Sequence, residues 1–259
     1  MEILNNREFE QESTANNLIN SRVGTIKLNN TTYFKKIGKN SLLQEYTIIK
    51  SLQSEYTITA LNLSQDEKTM ILEYCSKGDL SNHLRLTQIE DIIFIFKEMC
   101  EIIEYVHSKG YCHLDIKLDN FVISDNNKIK LIDFGHAQKS KYKIKHQLGT
   151  IIYNSPERVL GNYDGIKADV FSLGVCLMMM LCGFPPFPGS EEKMRQKIIL
   201  FNGNPDLYWN SVHDHMAKTY KNFNGLDEEA TKLLELLLTE DPEKRPCISE
   251  VLQHDFFVI

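Results

Sequence analysis

Apolar and polar residues alternate from Leu18 to Ile37, in two runs, Thr25 to Leu28 and Thr31 to Ile37, separated by Asn29-Asn30. A period of two suits a half-buried strand, and paired asparagines tolerate the left-handed backbone of a tight hairpin turn. A helix follows over Leu42 to Leu52, its apolar residues on one face and Glu45 near its start. Two more strand-like runs, Tyr56 to Leu63 and Lys68 to Tyr74, flank a Ser-Gln-Asp-Glu turn. After Lys77-Gly78 the period changes from two to 3.6. Asp79 to Arg85 then reads as a short helix, and Ile89 to Lys109 as a long amphipathic one with Ile92, Ile93, Phe96, Met99, Cys100, Ile103 and Val106 on one face. Further on, the apolar run Leu173 to Phe184 is too short to cross a bilayer and reads as a buried helix. Residues 1–17 show no period and read as a loose lead-in. A β-rich first part thus gives way to a helical second part near residues 74–78, an α+β arrangement without repeats.

Composition narrows the picture. The chain has 259 residues, 42% hydrophobic and 25% charged, enough for one or two cores. A net charge of −6 argues against nucleic acid as the main partner. The opening MEILNNREFEQEST is polar and acidic, unlike the basic and then apolar start of a secretory signal. Cys75, Cys100, Cys112, Cys176, Cys182 and Cys247 form no CxxC pair and read as reduced thiols. These features lead us to expect a monomer of the cytoplasm or nucleus, with neither nucleic acid nor membrane as partner.

Chemistry concentrates between Tyr111 and Gly135. One acid-bearing loop, His113-Leu114-Asp115-Ile116-Lys117-Leu118-Asp119-Asn120, precedes an apolar run (Phe121, Val122, Ile123), a turn at Ser124 to Asn127 and a second run, Ile129 to Ile132. Asp133-Phe134-Gly135 closes the stretch. A two-stranded ribbon brings its two ends together, so Asp115, Asn120 and Asp133 are expected to converge. Two carboxylates and a carboxamide suit Mg²⁺ and a phosphate, because hard cations take oxygen ligands.

In order and spacing these two loops resemble the catalytic and metal-binding loops of eukaryotic protein kinases. The resemblance implies a two-lobed α+β fold: a small β-rich lobe over 18–73, a hinge at 74–78 and a larger helical lobe over 79–259. It also implies ATP as phosphate donor, Mg²⁺ as cofactor and a protein hydroxyl as acceptor. Asp115 then takes the place of the residue that orients the hydroxyl and accepts its proton, and Lys117 lies near the γ-phosphate; Asn120 and Asp133 hold metal. Lys36, with Lys35 as the other choice, matches the lysine on the α/β-phosphates, and Glu45 its ion-pair partner. Leu72 falls at the back of the pocket, and Glu73-Tyr74-Cys75 at the segment whose backbone meets adenine. Asp79 falls near the ribose, and Val122 on the pocket floor. His113 falls where the family has a structural histidine.

Further matches extend to Phe257. Leu148-Gly149-Thr150 corresponds to the Gly-Thr beside the substrate hydroxyl, and Ser155-Pro156-Glu157 to the family's Ala-Pro-Glu. Asp169 corresponds to the aspartate bracing the catalytic-loop backbone. Arg245, in Asp241-Pro242-Glu243-Lys244-Arg245-Pro246, corresponds to the partner of Glu157.

Departures from the family lie mostly in the first lobe. The G-x-G-x-x-G loop aligns with Ile19-Asn20-Ser21-Arg22-Val23-Gly24, which keeps only Gly24, so fewer backbone amides can approach a phosphate closely. Phe34, two residues before Lys36, stands where most kinases place an Ala over the adenine. Leu114 replaces the Arg that precedes the catalytic Asp in many kinases activated by loop phosphorylation, and activity without such phosphorylation is expected. The loop itself is basic, with Lys139, Lys141, Lys143 and Lys145 beside Ser140 and Tyr142. Three functions compete: an active serine/threonine kinase, a pseudokinase acting as a binding module, and a small-molecule phosphotransferase. The last leaves Ser155-Pro156-Glu157, Asp169 and Arg245 unexplained.

Overall fold

The computed structural model describes residues 23–83, 88–159, 161–189, 191–219 and 225–258. Residues 1–17, the aligned glycine-loop positions 19–22, and Arg85 lie outside them. The chain divides into two compact units, residues 1–78 with 122–135, and residues 79–121 with 136–259. The ribbon ending in Asp133-Phe134-Gly135 therefore goes with the first unit, although the sequence places it within the second lobe.

The first unit is built on a four-stranded antiparallel sheet, in the order β1 (Val23–Leu28), β2 (Thr31–Ile37), β4 (Thr69–Glu73), β3 (Ala60–Leu63). Asn29 and Asn30 take φ values of 47° and 63°, the positive pair a two-residue turn between twisted strands requires. Helix α1 spans Leu43–Ser51, one residue shorter at each end than expected, and buries Glu45, Ile48 and Ile49. The run Tyr56 to Leu63 is a strand only from Ala60 onward. Its first half makes other backbone bonds: Ile58 N donates to Leu131 O and Leu131 N to Tyr56 O, beside a parallel bridge between Thr57 and Leu131. That pairing anchors β7 (Ile129–Leu131), which forms a two-stranded ribbon with β6 (Phe121–Ile123).

In the second unit, α2 (Ile89–Ser108) and α3 (Gly165–Cys182) form the core. The expected apolar face of α2 is largely buried, with Ile102 added, while Ile93 is only half-buried. Phe96 on α2 stacks against Phe257 and meets Phe256 edge-on. Helix α3 is apolar on nearly every side because it is surrounded, and Asp164 caps its start by accepting from the Ile166 and Lys167 amides. It is long and apolar enough to cross a membrane, with a mean hydropathy of 1.7, but 78% of it is buried within the protein, as in a core helix. A Cβ on Gly174 would lie 2.8 Å from the Leu237 side chain, so glycine is what allows α3 to approach the following helices this closely.

Between α2 and α3 run the short antiparallel strands β5 (Tyr111–Cys112) and β8 (Gln138–Lys139). Helices α4 (Glu191–Gly203), α5 (Pro205–Thr219), α6 (Glu228–Leu237) and α7 (Ile248–Val251) follow. The helix expected over Asp79 to Arg85 is a 3-10 turn at Leu80–His83. Its tightness has a local cause: the Asp79 carboxylate accepts from Ser81 Oγ, the Asn82 amide and Asn82 Nδ2, which draws the chain around it.

Candidate active site

In the first unit, side chains alternate along β2, so Phe34 and Lys36 share one face, and Tyr33 and Lys35 the other. The register confirms the partition: Phe34 pairs with Leu72, and Lys36 with Met70. Tyr33 instead packs on the apolar cluster of Leu28 and Ile71, with Ile26 and Leu61. Of the two lysines, it is Lys36 that meets Glu45. Lys36 Nζ donates to both Glu45 oxygens, at 2.7 and 2.9 Å, and to Asp133 Oδ1 at 2.8 Å. Burial alone would lower the Lys36 pKa, but the charges of Glu45 and Asp133 outweigh it and hold the ammonium above its ordinary value. Asp133 has a φ of 60°, uncommon for any residue but glycine, and its side chain is 43% exposed.

The other first-unit positions lie on β1, β4 and β6 or just after β4. Leu72 and Val122 are buried, while Gly24 and Cys75 are half-buried. Desolvation pushes the Cys75 thiol up to about 11, so it is neutral at physiological pH. Glu73 accepts from the Thr59 amide at 2.9 Å and from Lys130 Nζ at 2.5 Å, fixing the end of β4 to β7. Sequence reading missed Lys130; its alternation in the short strand was the available signal.

The second unit holds the acid-bearing loop 113–120. Leu114 has a φ of 67°, a strained conformation costing roughly 1–3 kcal/mol for a residue with a side chain. The buried carboxylate of Asp169 stabilises it, accepting from the His113 amide at 2.7 Å and the Leu114 amide at 2.8 Å, as the resemblance implies. His107 Nε2 lies 3.0 Å from the same carboxylate. Burial would raise the Asp169 pKa, but His107 and Arg158 bring it below the ordinary aspartate value. His113 is buried and structural: its Nδ1 accepts from the Asp115 amide.

Asp115 is then presented in a dense set of donors. Its Oδ1 accepts from the Thr150 amide and from Thr150 Oγ1, both at 2.9 Å. Lys117 Nζ lies 2.9 Å from Asp115 Oδ2 and donates to Thr150 Oγ1 at 3.1 Å. Desolvation opposes ionisation of Asp115, but these contacts prevail, and its pKa lies below the ordinary value. Asn120 Nδ2 donates to Asp115 O at 2.8 Å, which orients the carboxamide with its oxygen turned away. The Asp79 carboxylate, expected near a ribose, serves its own turn.

Further along the chain, Glu157 forms a bidentate pair with Arg245, at 2.5 and 2.8 Å, and Arg245 also donates to the Lys167 carbonyl of α3. Arg158, the residue after Glu157, went unnoticed in the sequence; the structure buries it completely, at 1% exposure. A charged residue directly after Ser155-Pro156-Glu157 was its only sign. The structure thus gathers Lys36, Glu45 and Asp133 in one unit, and Asp115, Lys117, Asn120 and Thr150 in the other.

Comparison with known proteins identifies the family. Residues 13–257 match the family described as "Protein kinase domain". The chain is 32% identical over 228 residues, 84% of its length, to "Striated muscle preferentially expressed protein kinase" of Danio rerio, covering 7% of that protein. It is 30% identical over 242 residues, 89% of its length, to "3-phosphoinositide-dependent protein kinase B" of Dictyostelium discoideum, covering 25% of it. To "Probable serine/threonine-protein kinase CCRP1" of Zea mays it is 32% identical over 86% of its length, covering 35% of that protein. The chain therefore spans well under half the length of these relatives. With its β-sheet unit, its helical unit and a match over nearly all its length, it belongs to the protein kinase domain family.

Proposed function

We propose that this chain is an ATP- and Mg²⁺-dependent serine/threonine protein kinase. The observation that carries the reading is the Asp115–Lys117–Thr150 cluster. The Asp115 carboxylate is ionised, as the acceptor of a hydroxyl proton must be, and the lysine beside it can offset charge on a transferring phosphoryl group. Thr150, bonded to both, lines the place where an acceptor hydroxyl enters. The relative described as a serine/threonine-protein kinase supports the same specificity.

Each of the two expected metal-binding residues carries an oxygen donor suited to Mg²⁺. Asp133 offers a half-exposed carboxylate, and Asn120 a carboxamide whose nitrogen is already committed to Asp115. When bound, the ion supplies charge neutralisation on the phosphates. Lys36, held straight by Glu45, would ion-pair with the α/β-phosphates, and Asp115 would orient the protein hydroxyl for in-line attack. Leu72, Val122, Gly24 and the backbone of Glu73 and Cys75 would contact the nucleoside.

A pseudokinase reading has one specific observation in its favour. Phe34 occupies the same face of β2 as Lys36, where a ring would compete with adenine. A Mg·ATP thermal-shift titration joined to a generic peptide phosphorylation screen separates the two. Saturable stabilisation with label on Ser or Thr of a peptide supports the kinase; stabilisation without transfer, or neither, supports the binding module.

A further inference from the structure

We propose that Arg158 is a positioning residue that locks segment 148–154 onto the catalytic loop from within the protein, so that this segment needs no added phosphate. The inference deepens the kinase reading and rests on it.

Arg158 lies in the 3-10 turn Pro156–Val159, with its guanidinium enclosed by catalytic loop and segment. Its Nη1 donates to Leu114 O at 2.8 Å, to Leu148 O at 2.9 Å and to Asn154 Oδ1 at 2.8 Å. One nitrogen thereby joins the catalytic loop to both ends of the segment that presents Thr150. Lysine could not reproduce this planar, multidonor contact with the same directions. Asp169 lies 3.9 Å from Nη2 and balances the buried charge.

Two backbone details make the contact consequential. Leu114 is held in its left-handed conformation at both polar groups, its N–H by Asp169 and its carbonyl by Arg158. Gly149 has a φ of 82°, and a Cβ there would lie 2.3 Å from Leu114 O and 2.9 Å from Arg158 Nη1. The chain therefore passes directly over this junction, and the next residue, Thr150, donates its amide to Asp115. Moving Arg158 would move the partner of the catalytic carboxylate. An added phosphate has no comparable handle on this loop, because the residue before Asp115 is the fully buried, apolar Leu114. Lys139, Lys141, Lys143 and Lys145, by contrast, are exposed.

The test compares the wild-type chain with Arg158→Lys, Asn154→Ala and a Ser140→Ala/Tyr142→Phe double variant. It uses hydrogen exchange by mass spectrometry and steady-state kinetics on a peptide substrate. In Arg158→Lys, amides of residues 150–154 should exchange at least tenfold faster while α2 and α3 stay protected. Peptide kcat/KM should fall at least tenfold, with KM for Mg·ATP within twofold of wild type. The Ser140→Ala/Tyr142→Phe variant should match wild type in both readouts. Unchanged segment protection in Arg158→Lys, or loss of protection in the double variant, overturns the proposal. Exchange needs no turnover, so the lock is judged even if the wild type phosphorylates nothing, which would refute only the kinase reading. If Arg158→Lys does not fold, Asn154→Ala decides the matter instead: about threefold faster exchange in the segment supports the lock, and unchanged exchange overturns it.

Discussion

The two units each contain a charged network, and the networks differ in how much water they see. Lys36, Glu45 and Asp133 form an ion cluster in which the lysine is 21% and Asp133 43% exposed. Asp169, Arg158 and Arg245 are at 0–1% exposure, and most of the hydrogen bonds of the two arginines go to backbone carbonyls. The difference tells what each is for. Buried charges whose partners are backbone groups fix a conformation and are costly to disturb. Charges that water reaches, such as the Asp133 carboxylate, can exchange partners at lower cost. The first network is equipped to respond, the second to stay.

If this contrast holds, the largest effect comes from breaking the buried network. Arg245→Met leaves the Glu157 carboxylate without its bidentate partner and should destabilise the protein by about 3–5 kcal/mol. Chemical denaturation measures this, and a loss under about 1 kcal/mol, the range of an exposed pair, would mean the pair is not the anchor its geometry indicates. Lys36→Met leaves the buried Glu45 carboxylate without its partner, so it should cost some stability, though less than Arg245→Met because water reaches Lys36 and Asp133, and should lower phosphoryl transfer roughly a hundredfold or more. Thermal melts and peptide kinetics on one preparation would contradict this if the stability loss matched that of Arg245→Met, or if transfer did not fall.

Acid sharpens the comparison further. The folded pKa of Asp169 is lowered, so its ionised form stabilises the fold above the ordinary aspartate value of 3.8, and that stabilisation is lost as pH falls below it. The stability gap between wild type and Asp169→Asn should therefore narrow below this value, by at most about 1.4 kcal/mol per pH unit. A gap that stays constant from neutral pH to about pH 3 would remove Asp169 as the titrating brace. The smallest effect belongs to Phe34→Ala. Opening the face shared with Lys36 should tighten Mg·ATP binding several-fold, about 1 kcal/mol. Calorimetry showing equal affinity in both proteins would mean the ring does not contest the adenine.

Legibility in the sequence followed the same division. The second unit could be read closely, because its backbone is braced by charged residues in fixed local strings: Asp169, Glu157 and Arg245 all make the contacts the family resemblance implied. Arg158 escaped because its partners are carbonyls of distant residues, which leave no mark on a sequence. In the first unit the Asn29-Asn30 hairpin and α1 were plain from period and turn chemistry. The choice between Lys35 and Lys36 was not, since it depends on which face of β2 meets α1. Tyr56 to Thr59 looked like strand yet lies outside β3, because apolar alternation cannot say which neighbour takes the backbone hydrogen bonds; here it is β7. Asp79 and Ser81 held the signal for a tight capped turn, and the 3.6 period drew attention away from it.

The central claim is that Asp115 accepts the proton of a protein hydroxyl during phosphoryl transfer. Single-turnover transfer from Mg·ATP to a serine peptide, measured for wild type and Asp115→Asn with ATP affinity determined in parallel, tests it most directly. The account predicts a fall in transfer rate of roughly a hundredfold or more, with nucleotide affinity nearly unchanged. Equal rates in the two proteins, or no transfer in either, would contradict it.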